Sequence, residues 1–457
     1  MDNSIWEGNV VKVRDDREPI CFHLSESNES GRQFAVDNNQ VSSWFAEGGF
    51  TESDLRSRVE PWLTALFQSE HLSLLAGSGL TSSVQFAVTE SSGNGMGNPD
   101  PKSYYCEQIK KEATESSARM GRGKEPNIED YLRVQNELLR GLKIIGDTGK
   151  YDELKAETDN LIKVFTDNIT SIEYSIASAP AEKRSDAFNK LVLFLMSFAS
   201  RTGTRDRLNI FTTNYDRLIE AGADIAGLHL IDRFVGALTP VFRSSRMDID
   251  MHYNPPGIRG EPRYLEGVAR YTKLHGSIDW VSCGDTIRRI GLPFGAKDVS
   301  PFLEVAGIDA DASQIMIYPN ASKDKETAEY PYVELFRDFA AALCRPNSTV
   351  VTYGYSFGDD HINRVLRDML TIPSTHLVIL SYDDSTGRIK KLYEKWGRAN
   401  QISLIIGKDV ANLDALVDYY LPKPAIDRTT IRMADLLRQR YDNQAKASEK
   451  KEGVDEE

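Results

Sequence analysis

The chain has 457 residues, 40% of them hydrophobic, and a formal net charge of −13. That size allows two or three domains, and the composition is that of a globular protein. No apolar run approaches the ~20 residues of a membrane helix, residues 1–8 lack the basic-then-apolar pattern of a secretory signal, and the acidic balance disfavours direct nucleic-acid binding.

The four cysteines, Cys21, Cys106, Cys283 and Cys344, are far apart and form no Cys-x-x-Cys pair. A disulfide framework and a four-cysteine zinc site are therefore not expected, and reduced thiols fit a cytoplasmic protein. No metal is expected.

Residues 1–68 read as an N-terminal appendage. Residues 10–13 and 20–22 flank Arg14-Asp15-Asp16-Arg17 and predict a hairpin, and a helix is predicted over about 53–67, with Pro61 against it. A compact apolar strand, 72–75, runs into Ala76-Gly77-Ser78-Gly79-Leu80-Thr81. Residues 89–101 are rich in Gly, Ser, Asn and Pro, which predicts a loop. From 127 to 201 apolar residues recur at helical spacing in three stripes, so a helical subdomain is expected at about 125–202. Short apolar strands return at 208–211, 271–274, 315–318, 349–353, 376–380 and 402–406, with helices at 332–343, 362–370 and 387–396. This alternation predicts an α/β fold whose parallel sheet is covered on both faces. Helices are predicted at 411–420 and 430–440, within a C-terminal helical segment of 411–443. The charged end, 444–457, reads as a disordered tail. Residues 69–410 read as the main, ligand-binding domain.

Four segments fall at the ends of predicted strands, where such sheets bind ligands. Gly77-Ser78-Gly79-Leu80-Thr81 forms a strand-to-helix turn that lets backbone N–H groups approach a phosphate, or is an ordinary tight turn. No Gly-Lys-Ser/Thr follows, which excludes a Walker-type loop. Thr212-Thr213-Asn214-Tyr215-Asp216 brings out an amide, which both donates and accepts, and a carboxylate, which favours positive charge. The alternative is that Asn214 and Asp216 cap the next helix. Leu274-His275-Gly276-Ser277 carries an imidazole suited to proton transfer, or a structural histidine. Gly354-Tyr355-Ser356-Phe357-Gly358-Asp359-Asp360-His361 follows a strongly β-like run. There Gly354 and Ser356 are placed to hold a ribose or phosphate, and Asp359 or Asp360 to cap the helix.

The order of these four motifs resembles the sirtuin family, and within it the bacterial sirtuin-like NADases of anti-phage systems. Asn127-Ile128-Glu129-Asp130 resembles the segment opening their helical region, and the resemblance spans about 72–407. It implies a Rossmann-like, sirtuin-type sheet that takes NAD as substrate. By position, Gly77, Ser78, Gly79 and Thr81 would hold the NAD diphosphate, and Ala76 and Thr213 would also be cofactor-binding. Asn214 would position the attacking water, with Asp216 facing the nicotinamide ribose. His275 would be the base or ribose-hydroxyl partner, and Gly354 and Ser356 would line the adenosine side. Two features depart from deacylase sirtuins. The paired-cysteine zinc module is missing, and Val84-Gln85-Phe86-Ala87-Val88-Thr89 stands where a Pro-Asp-Phe-Arg-Gly-like stretch is usual.

The expected activity is NAD hydrolysis to nicotinamide and ADP-ribose, through an oxocarbenium-like ribose. The resemblance further implies NAD depletion in anti-phage defence, a homo-oligomer, and control by a HerA-type hexameric ATPase encoded nearby. The N-terminal appendage and the C-terminal helices are the candidate contact surfaces. The alternatives are an NAD-dependent deacylase or ADP-ribosyltransferase, and a non-catalytic scaffold that senses NAD or ADP-ribose.

Overall fold

The computed structural model describes residues 5–28, 31–37, 42, 44–45, 48–91, 99–119, 126–201, 205–245, 250–253, 263–305, 307–310, 314–317 and 330–423. The expected helix at 430–440 and the expected tail at 444–457 lie outside them.

Seven strands form a parallel sheet in the spatial order Ile402–Ile406, His376–Ser381, Ser348–Tyr353, His71–Ala76, Asn209–Thr212, Val268–Lys273, His229–Ile231. The central strands are apolar on both faces. Val351 and Tyr353 pack with Leu72, Leu74, Phe194 and Phe198 on one face, and Val350 packs with Leu75, Phe211, Phe339 and Leu366 on the other. Two-sided burial of this kind is what a parallel sheet requires.

The N-terminal appendage continues this sheet. Asn9–Lys12 pairs antiparallel with Ile402–Ile406, and Ile20–Asn28, Gly31–Val36 and Gly49–Thr51 follow outward. Phe22, Phe34 and Phe50 share a hydrophobic cluster with the sheet. The helix Glu52–Phe67 forms despite Pro61, after a capping box between Thr51 and Asp54. Pro61 removes the donor that the Ser57 carbonyl would otherwise have within the helix, and the Arg14 guanidinium donates to that carbonyl at 3.2 Å instead.

The insertion contains the three expected helices, Ile128–Ile145, Thr148–Ala177 and Ala181–Ala199, and an unexpected one before them, Cys106–Arg119. It is not a self-contained unit. Ile109, Leu132, Leu154 and Phe165 share one core with Tyr215 of the second motif and with Ile278 of strand Gly276–Cys283.

One strand falls elsewhere than expected. Ile315–Ile317 leaves the parallel sheet and pairs antiparallel with Gly276–Cys283, in a second sheet of five strands. Residue 318, placed at its end by the sequence, lies outside the described residues. The hairpin Gly276–Cys283/Thr286–Arg289 turns at Gly284, whose φ is +62°. A short apolar run does not reveal its sheet, because burial is similar in both. The expected helix at 411–420 is a short helix, Leu413–Ala415, that widens into a π turn at Leu416–Tyr420. No helix among the described residues is long and apolar enough to cross a membrane.

Candidate active site

Strand His71–Ala76 ends at Gly77, which precedes helix Ser78–Thr89. A Cβ on Gly77 would lie 2.5 Å from the Gly354 carbonyl oxygen, and one on Gly79 would lie 2.6 Å from the Gly354 Cα. Gly354 has a φ of +60°. The two strand ends therefore meet backbone to backbone, which only glycine permits. The Gly77 amide donates to the Tyr353 carbonyl at 2.9 Å and the Gly79 amide to the Gly354 carbonyl at 3.0 Å. These two N–H groups therefore already have carbonyl partners within the protein. Ser78, exposed at the first helical position, presents the helix N-terminus instead.

The neighbouring strand, Asn209–Thr212, delivers the second motif at the same level. The Ala76 carbonyl accepts from the Thr212 hydroxyl at 2.9 Å and from the Thr213 amide at 3.2 Å. Asn214 is buried, and its Nδ2 donates to the Gly77 carbonyl at 3.0 Å and to Thr81 Oγ1 at 3.1 Å. A carbonyl can only accept, so this contact fixes which end of the carboxamide is nitrogen. Oδ1 is left with no protein donor among the described residues, and it is free to accept from a water or a hydroxyl. The Thr81 hydroxyl donates to Asp216 Oδ2 at 2.8 Å, while Asp216 Oδ1 accepts from the amide of Leu218, the first residue of helix Leu218–Ala226, at 3.0 Å. The N-cap position itself is Arg217, so Asp216 satisfies one amide at the helix start and also holds Thr81.

His275 follows strand Val268–Lys273, whose Lys273 pairs with Thr212. The Leu274 amide donates to the Thr212 carbonyl at 2.8 Å, so His275 and Asn214 emerge from adjacent strands at one edge. The buried Lys273 donates to the Asp216 carbonyl at 2.5 Å and pairs with Glu220 at 3.0 Å, which ties the two loops together. His275 Nε2 lies 3.4 Å from His361 Nε2, and its ring centroid is 6.3 Å from that of Tyr215. The Tyr215 hydroxyl donates to Glu129 at 3.1 Å, which links the opening segment of the helical insertion to this loop. Burial, with the Glu129 carboxylate adding to it, pushes the Tyr215 phenol well above the usual tyrosine range. Tyr215 is therefore a neutral hydrogen-bond donor.

A cleft of about 1200 Å³ opens at the carboxyl ends of the strands. Ser78, Gly79, Gly354 and Ser356 line it, together with Ser381 to Thr386 at the end of the next parallel strand. Ala76, Gly77, Thr81, Thr213, Asn214, Asp216 and His275 are not among its lining residues. The expected site residues therefore form a cleft group and an inner group, joined through the glycine turn.

A family model described as SIR2-like domain matches residues 208–405. A SIR2-like domain occupies this part of the chain. The mostly parallel, helix-flanked sheet with added N-terminal strands is a sirtuin-type Rossmann-like fold. The match supports an NAD-using enzymatic activity in general. Among curated proteins no match was found. The matched SIR2-like segment holds Asn214, Asp216, His275, Gly354 and Ser356, whereas Ala76 to Thr81 precede it on the strand that pairs with Asn209–Thr212.

Several residues around the candidate site carried weaker signals in the sequence. Tyr382 and Asp383 line the cleft because their strand, His376–Ser381, pairs with the strand that ends at Gly354. Their signal was the position just after a predicted strand. Lys273 was visible only as a lysine within an apolar strand. Among the described residues, no group of three or more His, Cys, Asp or Glu is arranged to hold a metal ion.

Proposed function

We propose that this protein hydrolyses NAD, releasing nicotinamide and ADP-ribose. The observation that carries the reading is the Asn214 carboxamide. Its nitrogen is fixed by Gly77 and Thr81, and its oxygen is left to accept, beside the strand end that bears His275. In the reaction the C1′–nicotinamide bond breaks with its electron pair leaving on neutral nicotinamide. A water adds to C1′ and gives up one proton. Asn214 Oδ1 accepts a hydrogen bond from that water and orients it. His275 takes the proton, or holds a ribose hydroxyl by hydrogen bond. Asp216 acts by holding Thr81 and by placing a negative charge near the developing cation.

The cleft is assigned to the adenosine and diphosphate portion. Ser78 at the helix N-terminus serves the diphosphate, and Gly354 and Ser356 serve the adenosine. Gly77, Gly79 and Ala76 set the approach of the strands, and Thr81 and Thr213 support the inner group. Residues 69–410 form the NAD-binding unit in this reading, with 1–68 and 411–443 as contact surfaces.

The motif resemblance extends the reading to cytoplasmic NAD depletion in anti-phage defence, in a homo-oligomer held in check by a HerA-type ATPase. The deciding experiment measures nicotinamide release from NAD by the chain alone and with the product of its neighbouring gene, in wild type and in Asn214→Ala and His275→Ala. Loss of release in both folded variants is expected. Full activity in both would overturn the assignment.

A further inference from the structure

His275 and His361 come from segments 86 positions apart and meet Nε2 to Nε2 at 3.4 Å, with ring centroids 5.5 Å apart. His361 is the second residue of helix Asp360–Met369, and its ring packs edge-on against Phe336 at 4.7 Å between centroids. Helix position and an aromatic wall thus set the His361 ring, and that ring in turn faces one nitrogen of His275. Two neutral imidazoles in such contact share a single hydrogen, with one nitrogen donating and the other accepting.

We propose that His361 is a positioning residue that fixes the tautomer of His275. His275 donates its Nε2 hydrogen to the bare Nε2 of His361, and its Nδ1 is thereby kept as the basic nitrogen. The arrangement follows the logic of a base oriented by a third group, with an imidazole in the place usually taken by a carboxylate. A carboxylate would add a charge beside the ring, whereas a neutral imidazole orients it by hydrogen bonding alone. The 3.4 Å contact is long for a hydrogen bond, as such contacts often are before substrate binds. The net proton balance of NAD hydrolysis is unchanged: one proton leaves the attacking water, resides on His275, and passes to solvent.

The inference rests on the NAD-cleavage reading for its consequence in turnover, but the tautomer can be read without any turnover. The test is ¹⁵N NMR of histidine-labelled full-length protein, with His275 signals assigned by loss in His275→Ala. The expected result is a protonated Nε2 and a bare Nδ1 in wild type. His361→Gln, whose side-chain oxygen still accepts, keeps this pattern, and His361→Leu mixes the tautomers. In nicotinamide release, His361→Leu lowers kcat on the order of tenfold or more with KM for NAD little changed, and His361→Gln recovers most of the loss. A bare Nε2 on His275 in wild type, or an unaltered tautomer and kcat in a folded His361→Leu, overturns the proposal. The expected tautomer pattern without NAD cleavage in any form would keep the positioning role and remove the hydrolase reading instead.

Discussion

The Arg217 guanidinium is buried against the Glu173 carboxylate, and the Arg217 backbone amide donates to the same carboxylate at 2.7 Å. Arg217 directly follows Asp216 in the motif loop, and Glu173 lies in the inserted helix Thr148–Ala177. The guanidinium also donates to the carbonyls of Leu292 and Pro293. One buried pair therefore fastens the insertion to the strand end that carries Asn214. Burial pushes the Glu173 carboxyl up, and the adjacent Arg217 opposes that shift. Glu173→Leu leaves a guanidinium that cannot shed its charge, so a loss of about 3–5 kcal/mol is expected in urea unfolding. The double variant Glu173→Leu/Arg217→Met removes the stranded charge and recovers part of the loss. A single-variant cost under about 1 kcal/mol would mean that the pair does not hold the loop.

Gly354→Ala tests the backbone contact between the two strand ends. Its φ is +60°, and a Cβ there would lie 2.6 Å from the Gly79 Cα, a backbone atom that cannot move aside. Left-handed backbone costs about 1–2 kcal/mol for alanine and overpacking about 1–3 kcal/mol, so a loss of roughly 2–5 kcal/mol is expected. Gly77→Ala isolates the steric part, because Gly77 has an ordinary φ of −108°. Thermal or urea unfolding of both variants measures the two contributions. Stability equal to wild type in both would rule out the close approach.

The parallel sheet was legible because its strands are short apolar runs followed by glycine or polar turns. The strand at 402–406 was placed to the residue. The placement of the motif segments at strand ends was legible for the same reason, and strand ends are where such sheets present ligand-binding groups. What stayed hidden depended on pairing across long sequence distances. That residues 9–12 would join the sheet beside 402–406 is a register between chain segments nearly 400 positions apart, and no local pattern encodes it. The use of the Gly77 and Gly79 amides by Tyr353 and Gly354 was equally invisible, because the glycine turn reads the same with its amides free or taken. His361 stood in plain view within a quoted motif, but only the fold brings it to His275.

His376 gives a pH-dependent contribution to stability that tests how the N-terminal helix is docked. The Trp62 indole donates to Ser403 Oγ at 2.9 Å, and His376 Nε2 lies 2.8 Å from the same oxygen. Trp62 can only donate, so the serine hydroxyl is free to donate to a neutral His376. Burial, with Lys12 adding to it, lowers the His376 pKa from 6.5 to about 4. A histidine depressed on folding stabilises the folded state fully above its unfolded pKa. That stability is lost as pH falls from about 6.5 toward about 4, because the unfolded chain binds the proton first. The shift corresponds to about 3 kcal/mol across that window. His376→Gln keeps an acceptor without a titrating ring, so its urea midpoint should fall less steeply than wild type between pH 7 and pH 4.5. Parallel pH curves for the two proteins would count against this origin.

Thr81 joins the two polar side chains of the inner group, since its hydroxyl accepts from Asn214 Nδ2 and donates to Asp216 Oδ2. Thr81→Val keeps the shape of the side chain and removes the hydroxyl. The Asn214 carboxamide then keeps only its bond to the Gly77 carbonyl, and its Oδ1 is no longer aimed by two fixed contacts. Asp216 Oδ2 loses its donor while Oδ1 still accepts from the Leu218 amide, so the fold should survive with a loss of about 1–3 kcal/mol. If Asn214 orients the attacking water, misdirecting it lowers kcat for nicotinamide release while KM for NAD, set by the cleft, changes little. Thr81→Ser restores the hydroxyl and should restore kcat. Equal kcat in Thr81→Val and wild type would show that the carboxamide needs no such alignment, and the water-orienting role of Asn214 would fail with it.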